Sequence, residues 1–177
     1  SAAAFAKAVE GKLSAGQKAA LPVVTFSSEM SFHLNGDEAR VIHAANGHTD
    51  GDSFIFFKET NLVHMGDLFF NGIFPFIDVD HGGSIGGMIA ASDKVLALVN
   101  DDTIIIPGHG PVTDKKGLEA FKAMLMGSRD IVSKLKAEGK SLAEIQAMKP
   151  LVGFGENWKG FNATWVDQYV GFIFNSI

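Results

Sequence analysis

The apolar residues of this chain change period in mid-sequence, and that change limits the folds open to it more than any other feature. From Met30 they alternate: Met30, Phe32 and Leu34 point one way while Ser31, His33 and Asn35 point the other, the period of two of a half-buried strand. Asn35-Gly36 can supply the two positive φ angles of a tight hairpin turn, so Ala39 to Ala45 is expected to return as the partner strand. Ser53 to Lys58 and Leu62 to Met65 are expected as two more strands about a turn at Glu59-Thr60-Asn61. Past Gly83 the period becomes helical, with Ile85, Met88, Ile89, Ser92, Val95, Leu96 and Val99 on one face.

A short apolar run, Thr103 to Ile106, has the look of a strand covered on both faces, stopped by Pro107-Gly108. A long amphipathic helix should follow, with Leu118, Phe121, Leu125, Ile131, Val132 and Leu135 inward and Gly139 at its end. Ser141-Leu142-Ala143-Glu144 is a capping box for another short helix. Gly153 to Gly160 is a glycine and aromatic loop, and Asn162 is expected to cap a last helix bearing Trp165, Tyr169, Phe172 and Ile173. Near the start, Phe5, Val9 and Leu13 step by four, as on a helix closed by Leu21-Pro22. Sheet first, then helices with one further strand, is an α+β layering in one domain of 177 residues.

Composition narrows the function. A net charge of −5 argues against a phosphate-backbone binder, which needs a basic face, so nucleic acid is not an expected partner. The absence of cysteine excludes a disulfide scaffold, a thiolate zinc cluster and a cysteine nucleophile. No apolar run is long enough to cross a bilayer, and the first twenty residues, charged throughout, lack a signal peptide's hydrophobic stretch. No membrane partner is expected.

Three segments carry potential metal ligands: Gly47-His48-Thr49-Asp50-Gly51-Asp52-Ser53, His64-Met65-Gly66-Asp67, and Ile106-Pro107-Gly108-His109-Gly110-Pro111. In each, a donor sits where a rigid strand enters a glycine-containing loop, which fixes the backbone and leaves one edge of the sheet open. Two imidazoles and a carboxylate suit a borderline cation such as Zn²⁺, or Fe or Mn.

In this order, GHTDGDS, a strand, GD, a helix, a strand and PGHG resemble the carboxyl-terminal half of the metallo-β-lactamase superfamily. GHTDGDS followed by HMGDLFFNGIFPFID looks like a branch of bacterial β-lactamase-like metallohydrolases. The resemblance implies a four-layer αββα sandwich with a metal site along one sheet edge. It implies that His48 is a ligand of a first metal, Asp67 bridges two metals or binds the second, and His109 binds the second. The complete site of the family holds two metals, commonly Zn²⁺, and uses a metal-bound hydroxide against a carbonyl, thioester or phosphoryl centre of a small-molecule substrate. The bacterial resemblance leaves cytoplasm and periplasm both open.

The family's amino-terminal signature, HxHxDH, is absent: none of the six histidines has another two residues away. The chain, 1–177, is therefore expected to be a single domain lacking the HxHxDH half, with half the metal ligands, weak or no metal binding and little or no hydrolase turnover alone. No catalytic residue beyond the ligands is assigned. Its expected partner is that missing half or a second copy of itself. The alternative is a non-catalytic binding or self-association module that keeps the half-fold.

Other residues have plainer readings. His43 and His64 lie on strands and are expected to face sheet or solvent; His81 reads as a capping-loop residue. Gly82-Gly83-Ser84-Ile85-Gly86-Gly87 matches neither GxGxxG nor a P-loop and reads as a closely packed helix entry. Phe69, Phe70, Phe74 and Phe76 follow Asp67 directly. Either they wall a substrate beside the metals, which makes Phe69, Phe70 and Phe74 substrate-binding, or they belong to the core.

Overall fold

The computed structural model describes Ser14, Gly16 and residues 21–177; the helix expected through Phe5, Val9 and Leu13 lies outside the described residues. Strands β1 (Glu29–Leu34), β2 (Asp37–His43), β3 (Ser53–Phe57) and β4 (Leu62–Phe70) come first, followed by α1 (Ile85–Leu96) and β5 (Ile104–His109). Helices α2 (Lys115–Ala137), α3 (Leu142–Ala147) and α4 (Trp165–Ser176) complete the order. The strands form one five-stranded sheet in sequence order, antiparallel from β1 to β4 and parallel between β4 and β5. This is the expected α+β class.

The hairpin forms as its sequence dictates. Asn35 and Gly36 take φ of +53° and +78°, which pairs Leu34 with Asp37. The return strand begins at Asp37, two residues before the expected Ala39, because a two-residue turn leaves nothing else unpaired. Asn61, φ +53°, closes the turn between β3 and β4.

Register assigns the two faces of the sheet. Ile42 and Phe54 pair, as do Phe56 with Val63 and Val63 with Ile105, so these residues share the face on which α1 and α2 pack. Phe54, Val63 and Ile105 are completely buried there. The opposite face carries Phe32, Val41, Ile55, Leu62 and Ile104 by the same alternation. Ile104 is half exposed on it. The expectation that Thr103 to Ile106 is covered on both faces is thus corrected: β5 is an edge strand with helices on one side, and its apolar run comes from a face that no described helix covers.

Helix α4 packs behind α1 and α2, with Tyr169, Val170 and Ile173 buried. The buried Tyr169 hydroxyl shares a 2.8 Å hydrogen bond with Ser128 of α2, and burial pushes its phenol above the usual range. The capping box at Ser141 forms, and Gly139, φ +82°, ends α2. The cap of α4 is Thr164 in place of the expected Asn162; Asn162 accepts from the Thr164 N–H at 3.0 Å and so makes the turn one step before the helix.

Candidate functional site

Topology brings the three motifs together. Since β2 and β4 are each antiparallel to β3, and β5 is parallel to β4, the chain leaves β2, β4 and β5 at the same edge. His48 follows β2, Asp67 lies in the outer part of β4, and His109 ends β5.

Strand β4 runs to Phe70, five residues past the expected Met65, because it continues through a bulge. Gly66 pairs with Pro107 and Phe70 with His109, so four steps on β4 oppose two on β5. Gly66 takes φ +52°, a left-handed value that suits glycine. A bulge re-aims the side chains beyond it, and here it turns Asp67 to the sheet edge. Gly108 is the counterpart: a Cβ there would come within 2.4 Å of Asp67 Oδ1 and 2.6 Å of the Gly66 backbone.

The His48 loop is clamped from behind by the glycine run. The Asp78 N–H donates to the His48 carbonyl at 2.8 Å, and Asp50 N–H to the His81 carbonyl at 3.0 Å. A Cβ on Gly83 would lie 2.1 Å from the His48 carbonyl oxygen, and one on Gly87 would lie 1.6 Å from that of Asn46. Ser84 caps α1 by accepting from the Gly87 N–H while its own hydroxyl donates to the Asn46 carbonyl. The run is the closely packed helix entry its sequence suggests. It sets the loop's depth. Likewise Asn71 holds the β5 end, with its N–H on the His109 carbonyl and its amide on Pro111, both at 2.8 Å.

These constraints place both imidazoles against one carboxylate. His48 Nε2 stands 3.7 Å from Asp67 Oδ2, and His109 Nε2 stands 3.3 Å from Oδ1. His48 Nδ1–H donates to the Phe76 carbonyl at 3.0 Å, which fixes the tautomer: the neutral ring keeps its lone pair on Nε2, facing Asp67. A lone pair and a carboxylate oxygen face each other favourably only with a proton or another cation between them. The donor chemistry therefore fits a metal. The set is incomplete, however: among the described residues no group of three or more His, Cys, Asp or Glu side chains could hold an ion by itself.

Phe70 is buried beneath this constellation, its ring stacked on His109 at 4.6 Å and 6.3 Å from His48. Phe69 packs on Phe121 and Phe74 on Tyr169, both fully buried in the core. Phe70 is as completely buried as these two. Phe76, beside His48 at 5.4 Å, and Phe161, beside His109 at 5.5 Å, are the partly exposed rings at the site. Phe161 has no signal in the strand–loop motifs; it follows directly on the glycine and aromatic loop that ends at Gly160. The remaining histidines stand apart: His33 and His64 are exposed on their strands, His43 donates to the Asp50 carbonyl, and His81 pairs with Asp78.

The family model described as the metallo-beta-lactamase superfamily matches residues 3–109, the stretch that holds His48, Asp67 and His109. A solved metallo-beta-lactamase from Pontibacter korlensis is similar at 18% identity over 68% of this chain and 53% of that one, with a TM-score of 0.50. The stereoselective inverting sec-alkylsulfatase Pisa1 from Pseudomonas sp. is similar at 15% identity over 87% of this chain and 26% of that one, with a TM-score of 0.66. The matched part is about half of the first chain and about a quarter of the second. A search of curated proteins gave no match.

Proposed function

The chain belongs to the metallo-beta-lactamase superfamily, and we propose that it supplies the carboxyl-terminal share of a metal-dependent hydrolase site. Membership supports metal-dependent hydrolysis at the level of the family. The observation that carries the reading for this chain is the facing of His48 Nε2 and His109 Nε2 on the two oxygens of Asp67.

In this reading His48 would hold a first metal and His109 a second, with Asp67 available to both. The metals, Zn²⁺ by donor preference with Fe or Mn also compatible, would lower the pKa of bound water so that hydroxide is available near neutral pH. The Phe76 carbonyl holds His48 in the ligating tautomer, and Asp67 and His109 are open to solvent on one side. Three donors divided between two positions bind weakly. The remaining ligands would come from an HxHxDH segment outside these 177 residues.

Partner and site belong together in this account. The sheet face bearing Phe32, Leu34 and Ile104 is apolar, with all three exposed. Exposed apolar side chains grouped on one sheet face often mark an interaction surface. The segment carrying the missing ligands is the proposed cover, with self-pairing as the lesser alternative.

The test is hydrolysis of ester, lactam and phosphodiester substrates by this chain and by a longer one that adds an HxHxDH half. Zinc-dependent turnover by the longer chain alone, abolished by Asp67→Ala, is the expected result. Turnover by the 177-residue chain, or none by either, contradicts it.

A further inference from the structure

We propose that Phe161 and Trp165 form a preformed aromatic wall that receives an apolar, preferably aryl, group of the substrate. The proposal rests on the hydrolase reading for the identity of the site, and on separate observations for the wall.

The rings form a continuous arc around one side of the site. From His48 the arc passes to Phe76 at 5.4 Å, to Trp165 at 6.4 Å, to Phe161 at 4.7 Å and back to His109 at 5.5 Å. Phe161 and His109 meet edge to face at 76°, Phe161 and Trp165 at 90°. These are favoured aromatic geometries, and Trp165 stays partly exposed among them. Phe161 is 50% exposed while its ring meets those of Phe70, His109 and Trp165.

The wall is held at both ends. Lys159 exchanges backbone hydrogen bonds with the segment after Asp67: its N–H donates to Gly72 at 3.0 Å, and its carbonyl accepts from Phe74 at 2.9 Å. Trp158, just before it, is buried against Phe121. On the other side the Trp165 indole N–H donates to the Phe74 carbonyl at 2.7 Å. Gly160 permits the tight turn between them, since a Cβ there would lie 2.5 Å from that of Trp165. The exposed ring is thus carried on a fixed backbone. A rigid apolar surface beside a few polar reacting groups is the usual make-up of a small-molecule site, and it costs little ordering on binding.

The test follows the two indole N–H resonances of the 177-residue chain by NMR during titration with phenyl acetate, with ethyl acetate as the non-aryl control. Trp165→Phe and Trp158→Phe assign the signals. The expected result is a saturable shift of the Trp165 signal with phenyl acetate, at least fivefold weaker in Phe161→Ala and retained in Phe161→Leu. Shifts centred on Trp158, which lines a separate apolar groove with Leu151 and Val166, overturn the proposal. So does equal response to both esters, or an unchanged affinity in Phe161→Ala. A parallel zinc titration reads the imidazoles alone: loss of zinc binding with a persisting aryl response contradicts the metal reading and leaves the wall standing, and the reverse result does the opposite.

Discussion

Gly108 lies so close to Asp67 that a single methyl group on its Cα would come within 2.4 Å of the Oδ1 atom. A glycine is therefore required at this place for contact reasons, not for backbone freedom. The same hydrogen-for-methyl exchange would strike the Gly66 backbone at 2.6 Å, where no rotamer change gives relief. Gly108→Ala should cost about 1–3 kcal/mol of stability, as overpacking does, and should remove any metal response of His109. Chemical denaturation and a metal titration of the same variant check the two halves.

Adjacent glycines in α1 should behave in opposite ways. Replacing a helical glycine by alanine ordinarily stabilises by up to about 1 kcal/mol. Gly86→Ala should do so, because its Cβ would meet only Ser84 Oγ at 3.9 Å. Gly87→Ala should destabilise, because its Cβ would lie 1.6 Å from the Asn46 carbonyl oxygen and push α1 off the His48 loop. Denaturation midpoints of the pair test the sign, and the His48 resonances should move only in the second.

How much of this was legible in the sequence differs between fold and site. The Asn35-Gly36 turn, the alternation from Met30 and the helical period from Ile85 are local signals, and the elements they predict are present. The end of β4 was not legible, since a bulge at Gly66 depends on pairing with Pro107 and Phe70 on pairing with His109. Burial of Phe69 and Phe74 is likewise set by Phe121 and Tyr169, which lie far along the chain. Four nearby phenylalanines look alike in sequence; only tertiary packing tells the ring that stacks on His109 from those that pack on Phe121 and Tyr169. The tautomer of His48 is fixed by the Phe76 carbonyl, which no side-chain pattern announces.

Asp37 should contribute to the acid sensitivity of the fold. Its carboxylate accepts from the Thr60 hydroxyl, the Glu59, Thr60 and Glu38 N–H groups, and the Thr60 hydroxyl bond leads in holding its pKa below the usual carboxylate value. A lowered folded-state pKa adds stability that is present above the unfolded value, about 4, and is lost as pH falls through the folded one. Asp37→Asn should flatten the acid limb of stability against pH by this group's share while leaving the neutral-pH fold intact. Urea midpoints measured across that range decide it; an unchanged acid limb contradicts the assignment.

The account depends most on His48, Asp67 and His109 acting as one set of metal donors. Zinc titration of this chain, followed through the imidazole resonances of all six histidines, tests that most directly. Added zinc should move the His48 and His109 signals together, with low affinity, leave those of His43 and His64 in place, and lose its effect in Asp67→Ala. His48 and His109 signals that stay fixed at millimolar zinc, or that move equally in Asp67→Ala, would contradict it.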